Sequence, residues 1–212
     1  MDLFTSETLI TFIVASILLG FTPGPDNIFV LIQSALHGRK AGIIVTLGLC
    51  TGLIGHTLAV TFGLAVVFQV SAVAFTALKI AGAVYLIYLA WQAFTTASKK
   101  LGIESQPRLT QWQLYQRGIL MSSTNPKLAI FFLAFLPQFA DPGKGSISLQ
   151  LLILGGIFIF FSFLVMAFVA LLSGSISEHM KSSVTTQKWI QRIAGGVFLA
   201  LALRLVTSEQ SN

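Results

Sequence analysis

The chain has 212 residues, of which 55% are hydrophobic and only 9% charged, and 18 of them are phenylalanine. This composition excludes an ordinary soluble domain and predicts a polytopic membrane protein. The net charge of +6 does not indicate a nucleic-acid partner, because the basic residues follow the apolar segments instead of forming a separate patch.

Six apolar segments are long enough to cross the roughly 30 Å hydrocarbon layer of a bilayer. In chain order they cover residues 8–36, 42–70, 73–94, 115–139, 147–172 and 189–206. We therefore predict an all-α integral membrane protein with six transmembrane helices in a single transmembrane domain, residues 1–212. The one long polar connection, residues 97–118, contains Trp112 and Tyr115, which we expect to anchor it at the cytoplasmic headgroups.

The basic residues predict the orientation of these helices. Nine of the 13 lysines and arginines lie in alternate connections, whereas the opposite side has essentially Lys144. Because cytoplasmic loops are enriched in lysine and arginine, the nine are predicted to face the cytoplasm. Both termini then lie outside, which requires an even number of crossings.

The two halves of the chain resemble each other. KIAGAVYL at residues 79–86 matches RIAGGVFL at 192–199, and TPGPD at 22–26 corresponds to STNPK at 123–127. We predict two repeats, residues 8–94 and 115–206, each with three crossings. An odd number of crossings inverts the second repeat, as in many secondary transporters with a central binding site. A duplicated bundle that merely packs well is the alternative.

The matching motifs interrupt helices 1 and 4 near the membrane midplane. Proline removes a backbone hydrogen bond and clashes with the preceding turn, so a break in hydrocarbon must face protein or a water-filled cavity. Asn125 resembles an N-cap and Pro126 a first helical residue. The helix-break residues are Pro23, Gly24, Pro25 and Pro126. In an inverted repeat the two new N-termini converge, and their dipoles favour a carboxylate or phosphate.

Two charged residues stand at the breaks, Asp26 in the first helix and Lys127 in the fourth. A charge within an apolar span is costly and needs a partner, so we hypothesise that Asp26 and Lys127 face each other. The pair serves either as a structural ion pair or as a substrate site. His56 is also ionisable and lies within an apolar span, where it is either a polar core residue or a proton-coupling group.

Little in the chain predicts other chemistry. Cys50 is the only cysteine, and His37, His56 and His179 lack the spacing of metal ligands. The Gly-Lys pair ending at Lys144 lacks a P-loop frame, and the spans contain no nucleophile constellation typical of an enzyme. We therefore expect a protein without a metal, a cofactor or catalytic residues.

Taken together, these motifs resemble the lysine exporter and homoserine/threonine resistance family (LysE/RhtB) over nearly the whole chain. The matching residues occur in the family's order and are Thr22-Pro-Gly-Pro25, His37-Gly-Arg39, Ala41-Gly42, Gly52, His56, Gly63-Leu64, Leu78-Lys79, Gly82, Tyr85-Leu86, Asn125-Pro126-Lys127, Phe131-Phe132 and Pro137-Gln138-Phe139. The family commonly has asparagine where this chain has Asp26, and Asn27 is a second candidate to supply an amide.

The resemblance implies a multi-pass exporter of amino acids or small derivatives in the bacterial cytoplasmic membrane, driven by the proton gradient. The substrate's carboxylate would bind the converging helix ends with Asn125 or Lys127, and its ammonium group Asp26. Asp26 and His56 are the proton-coupling candidates. The partners implied are the substrate, protons and lipid, and a homo-oligomer is left open. A metal-cation exporter of the same superfamily and a membrane scaffold without transport activity are the alternatives.

Overall fold

A computed structural model of the chain describes residues 3–22, 24–70, 72–95 and 108–173, together with 189, 192–193, 195–196 and 198–203. All regular secondary structure in these residues is helical. Pro23, residues 97–107 of the polar connection, His179 and parts of the sixth predicted span and of the second KIAGAVYL copy lie outside the described residues.

The first predicted span is two helices, α1 (Ser6–Phe21) and α2 (Pro25–His37), which meet at a bend of 59°. At 1.5 Å per residue they measure about 24 and 20 Å, so each alone is shorter than the membrane's hydrocarbon layer. Gly24 is the N-cap of α2 and Pro25 its first residue. The helix break therefore lies where the glycine and proline predict it.

Two long helices follow. Gly38, with φ of 89°, ends α2 in a conformation that favours glycine, and α3 (Arg39–Val70) begins at once. α4 (Ala72–Thr95) comes next. These two helices match the predicted spans 42–70 and 73–94.

The fourth predicted span is also broken. α5 (Gln111–Ser123) begins with a capping box in which Thr110 and Gln113 cap each other's backbone, and it meets the following segment at a bend of 49°. That second segment is α-helical only over α6 (Pro126–Ile130), then π-helical over Phe131–Phe135 and 3-10 over Leu136–Phe139. The second half of this span is therefore helical without being a regular α-helix, and Pro137, which has no N–H, cannot continue an α-helical ladder.

A short 3-10 turn (Pro142–Lys144) leads to α7 (Ile147–Leu171), which matches the fifth predicted span. Arg39–Gly63 of α3 and α7 are each long and apolar enough to cross a membrane. Each bent pair also qualifies when its two halves are taken as one span, so the described residues contain two to four candidate spans. Within α4, Ile80–Gln92 forms a shorter apolar helix. The arrangement of six crossings stays a prediction.

An aromatic cluster joins the two broken spans. Phe12 of α1 lies 5.0 Å from Phe139, and Phe131 lies 4.8 Å from Phe158 of α7, measured between ring centroids. These rings are buried, with Phe12 fully so and Phe131 1% exposed. Each buried aromatic ring contributes a large apolar area to the packing, so the cluster holds α1, the π segment and α7 together.

The outer surface of the bundle is apolar as well. Phe62 is 70% exposed and Trp91 68%, and Leu120 and Ile193 are more than half exposed. Large exposed apolar side chains are costly in water and natural in contact with lipid tails. This surface therefore agrees with a protein embedded in a bilayer.

The crossing of α3 and α5 is a contact between backbones. A Cβ built on Gly48 would lie 2.2 Å from the carbonyl oxygen of Tyr115, and one on Gly118 would lie 2.4 Å from that of Val45. One turn further along α3, a Cβ on Gly52 would lie 2.6 Å from the Cβ of Ser122. Glycines spaced by four residues let membrane helices approach closely, and here they bring α3 directly against the break in the fourth span.

We predict that Gly48→Ala destabilises the protein by about 1–3 kcal/mol, because its methyl group has no space between α3 and the Tyr115 carbonyl. Gly55→Ala is the matched control, since nothing lies within 4 Å of a Cβ at that position. The melting temperatures of the two variants are compared in detergent, with size-exclusion chromatography measuring the folded protein that remains after heating. Equal melting temperatures would show that the α3–α5 crossing has room for a methyl group at Gly48.

Candidate functional site

A small cavity lies where the two broken spans meet α3 and α7. Its volume is about 30 Å³, enough for about two or three water molecules. Its polar residues are Asp26, Cys50, Ser122, Lys127 and Ser162. The rest of the wall is mainly leucine with Phe158 and Met166. The cavity is therefore an apolar chamber with one acidic and one basic side chain.

Asp26 lies in the first turn of α2 and is only 3% exposed. Its Oδ2 accepts a hydrogen bond of 2.6 Å from the amide Nδ2 of Asn125. Its Oδ1 is buried and has no hydrogen-bond partner in the described part of the chain. The carboxyl group thus links the two breaks through Oδ2, while Oδ1 has capacity to accept a further hydrogen bond.

Lys127 lies in α6, directly after the second break. Its Nζ donates a hydrogen bond of 3.4 Å to the carbonyl oxygen of Thr22, at the end of α1. A Cβ built on Gly24 would lie only 3.2 Å from this Nζ, so the ammonium group packs against the N-cap of α2. Glycine at this position leaves the space that the ammonium group occupies.

Asp26 and Lys127 share the cavity and attract each other electrostatically, but they do not form an ion pair. Among the described residues the one ion pair joins Lys144 and Asp141 at 3.8 Å. Asn125 contacts both residues, donating to the Asp26 carboxylate and accepting from the backbone N–H of Lys127 at 3.0 Å. The two charged side chains thus line one cavity, where the ammonium group binds a freed carbonyl and the amide binds the carboxylate. That they face each other as a functional pair stays a hypothesis.

Asn125 is the N-cap of α6 and Pro126 its first residue, as the sequence predicts. Gly24, the N-cap of α2, provides no side-chain cap. The N-terminus of α2 therefore differs from that of α6 in lacking a side-chain acceptor. Its free N–H groups lie beside the Lys127 ammonium group, which makes this end of the cavity the more electropositive one.

Asn27 does not line the cavity. It is 9% exposed, and its Nδ2 donates a hydrogen bond of 2.7 Å to the carbonyl oxygen of Gly20, which the break in the first span leaves without a helical donor. A side-chain donor at this point replaces the missing backbone N–H. Asn27, predicted as a substrate-binding residue, thus supports the break itself.

His56 also lies outside the cavity wall. Its Nε2 lies 3.0 Å from the carbonyl oxygen of Ser122, at the end of α5, and its ring packs 5.7 Å from that of Phe132. Because a carbonyl oxygen can only accept, Nε2 carries a proton in this contact. His56 therefore contacts the second break through the backbone carbonyl of Ser122.

Several residues of the site were missed by reasoning from the sequence. Ser122 and Ser162 line the cavity, and Thr22 binds Lys127 through its carbonyl oxygen. Thr22 and Ser122 lie at or beside the two break motifs, so their position was a usable signal. Ser162 is one of two serines in the apolar helix α7, and nothing in the sequence distinguishes it from an ordinary buried hydroxyl group.

Comparison with known proteins identifies the family. Residues 17–209 match the family described as LysE type translocator. The chain belongs to the LysE type translocator family. No solved structure matches the chain significantly.

Three similar proteins align with this translocator over nearly their whole length. It is 31% identical over 210 residues to proteins named homoserine/homoserine lactone efflux protein in Salmonella typhimurium strain LT2 and in Salmonella typhi, covering 98% of this chain and all of each relative. It is 30% identical over 207 residues to an uncharacterized membrane protein, YrhP, of Bacillus subtilis strain 168, covering 93% of this chain and 98% of the relative. Family and apolar surface together make it a multi-pass membrane protein.

We predict that Asn27→Ala in this translocator lowers the free energy of unfolding by about 1–3 kcal/mol, because the Gly20 carbonyl loses its donor in a buried place. Thr124→Ala is the control, since Thr124 is exposed and its hydroxyl bonds only within α5. Melting temperatures in detergent measure both. A control that loses as much stability as Asn27→Ala would contradict the assignment.

Proposed function

We propose that this translocator is a secondary active exporter of amino acids or small amino-acid derivatives, working by proton antiport across the bacterial cytoplasmic membrane. The observation that carries the proposal is the placement of a buried carboxylate and an ammonium group on one cavity between two broken helices. Two relatives are named for efflux of homoserine and its lactone, which supports an amino-acid substrate.

An amino acid is a zwitterion, and the two ends of the cavity complement it. The N-terminus of α2 and the Lys127 Nζ form an electropositive end that suits the α-carboxylate. The Oδ1 of Asp26, which no described residue binds, suits the α-ammonium group. Asn125 binds only one oxygen of the Asp26 carboxylate, so that the other oxygen retains capacity for the substrate.

Substrate entry requires movement of the helices. A cavity of about 30 Å³ holds water molecules but not an amino acid. The bends of 59° and 49° divide each broken span into two segments that can tilt against each other. We propose that these segments open the cavity to one side of the membrane at a time, as in alternating access.

The six-helix inverted repeat forms part of the same proposal. The broken span α1–α2 packs on α7, and the broken span that begins with α5 packs on α3. Since α3 and α7 are the second crossings of the two predicted repeats and also contact each other, this pairing supports a pseudo-twofold relation. With six crossings and the basic connections in the cytoplasm, both termini lie outside.

Proton coupling is assigned to Asp26 and His56. Protonation of Asp26 would remove the charge that holds the substrate's ammonium group, which releases the substrate on the acidic side of the membrane. His56 contacts the break next to the cavity and is an ionisable residue inside α3. A metal-cation exporter has less support, because the part of the chain described here contains no group of three or more potential metal-binding side chains.

We predict that Lys127→Ala and Asp26→Asn each reduce homoserine efflux from preloaded cells at least tenfold, because one end of the zwitterion loses its partner. Cells expressing either variant should retain more of the amino acid and become more sensitive to toxic analogues. Lys144→Ala, which removes a surface lysine from the pair with Asp141, is the control and should export normally.

The result that contradicts this site is efflux at the wild-type rate in both Lys127→Ala and Asp26→Asn, at equal amounts of folded protein in the membrane. Loss of efflux in Lys144→Ala as well would indicate a general effect of removing a positive charge.

We further predict that an acidic interior accelerates homoserine uptake into everted membrane vesicles, whose interior corresponds to the outside of the cell. An uncoupler should abolish this acceleration. His56→Gln keeps a donor for the Ser122 carbonyl but cannot titrate. We expect this variant to lose at least part of the acceleration by the acidic interior. Its homoserine exchange should be retained when the pH is the same on both sides of the vesicle membrane. Acceleration equal to that of the wild type would remove His56 from the coupling mechanism.

A further inference from the structure

Ser122 differs from four other buried hydroxyl residues of the membrane helices. Ser16, Ser34, Thr46 and Thr57 each donate to the carbonyl four residues earlier in their own helix. This is the usual way to satisfy a hydroxyl group in a helix. Ser122 is fully buried, yet its Oγ has no hydrogen-bond partner among the residues described.

The position of Ser122 distinguishes it from the other unpaired helical hydroxyl. Thr61, also fully buried and unpaired, lies on α3 away from the cavity. Ser122 lines the same cavity as Asp26 and Lys127. An unpaired, buried hydroxyl is costly unless a partner reaches it in another state of the protein.

Ser122 is held in place from α3. Its carbonyl oxygen contacts the Nε2 of His56 at 3.0 Å, and its side chain packs against Gly52, where any Cβ would lie 2.6 Å from the Cβ of Ser122. The residue therefore cannot shift far without breaking the α3–α5 contact. Such support gives a polar group the fixed position that specific recognition requires.

The cavity wall is mainly apolar, with Leu49 and Leu53 of α3 and Phe158 and Met166 of α7, and its polar residues besides the two charged ones are Cys50, Ser122 and Ser162. A pocket with apolar walls and a few fixed polar groups recognises a ligand of mixed character. Asp26 and Lys127 account for the ends of a zwitterion. Of the two cavity serines, Ser122 is the one whose fully buried Oγ has no partner among the described residues, and we therefore assign it to the substrate's side chain.

We propose that Ser122 is the subsite for an oxygen atom on the substrate side chain, which makes the protein selective for small amino acids with a hydroxyl or carbonyl group over apolar analogues of the same size. This inference rests on the proposed function, in which Asp26 and Lys127 bind the amino-acid backbone. Ser122 Oγ can both donate and accept, so it suits either a hydroxyl group or a lactone carbonyl oxygen.

The test compares homoserine with norvaline, which has a methyl group in place of the hydroxyl. Exchange of each radiolabelled amino acid is measured in proteoliposomes containing the purified protein, as kcat/KM. We expect the wild type to prefer homoserine about fivefold to tenfold, the worth of one hydrogen bond to a neutral group. Ser122→Ala should abolish this preference while norvaline exchange stays the same or rises.

Ser16→Ala is the matched control, because it removes an equally buried hydroxyl whose bond stays within α1 and which does not line the cavity. Its homoserine-to-norvaline ratio should equal that of the wild type. The melting temperature is the second readout. Ser122→Ala removes a hydroxyl without a partner and should not lower it; a clear decrease would reveal a structural role and overturn the proposal.

Failure of the Ser122 subsite and failure of the proposed export function give different results. A ratio unchanged in Ser122→Ala, while Asp26→Asn and Lys127→Ala abolish exchange of both amino acids, overturns the side-chain subsite and leaves the proposed function standing. Exchange of both amino acids that is independent of Asp26 and Lys127 overturns the proposed function, and the subsite with it.

Discussion

The backbone carbonyl groups that the two helix breaks release must find donors inside the membrane, and the rest of the site depends on this requirement. In hydrocarbon there is no solvent to satisfy them. Asn27 binds the carbonyl of Gly20, and Lys127 binds that of Thr22. The carbonyl of Ser122 accepts from the backbone N–H of Asn125, and His56 is its second donor. The polar residues at the centre of the protein are therefore structural donors first, and the proposed transport chemistry uses groups already needed for folding.

α3 provides the frame on which these contacts are built. Gly48, Gly52 and His56 are spaced by four residues and so lie on one face of the helix. The two glycines admit the backbone of α5, and His56 binds the carbonyl group at its end. Along about two turns, this face of α3 makes close backbone contacts at the two glycines and then a hydrogen bond at His56. The close contact determines where the second break lies, and the break positions Asn125 and Lys127.

Local signals in the sequence predicted the breaks well. Gly24 with Pro25 and Asn125 with Pro126 begin helices as expected, because capping and the constraint of proline act within a few residues. The amide bridge of Asn125 was not predictable, since it depends on how two bent spans cross. The unpaired state of Ser122 and the π-helical turn at Phe131–Phe135 likewise arise from packing between helices.

The placement of Asp26 and Lys127 on one cavity without a direct ion pair has an electrical consequence. One carboxylate and one ammonium group, held by different partners, give the cavity zero net charge together with a dipole. An amino acid of zero net charge matches that balance. In the proposed exchange the proton is then the only net charge that moves in each cycle, and the membrane voltage contributes about 2.3 kcal/mol per 100 mV to export. Voltage as well as acidity would then drive the carrier.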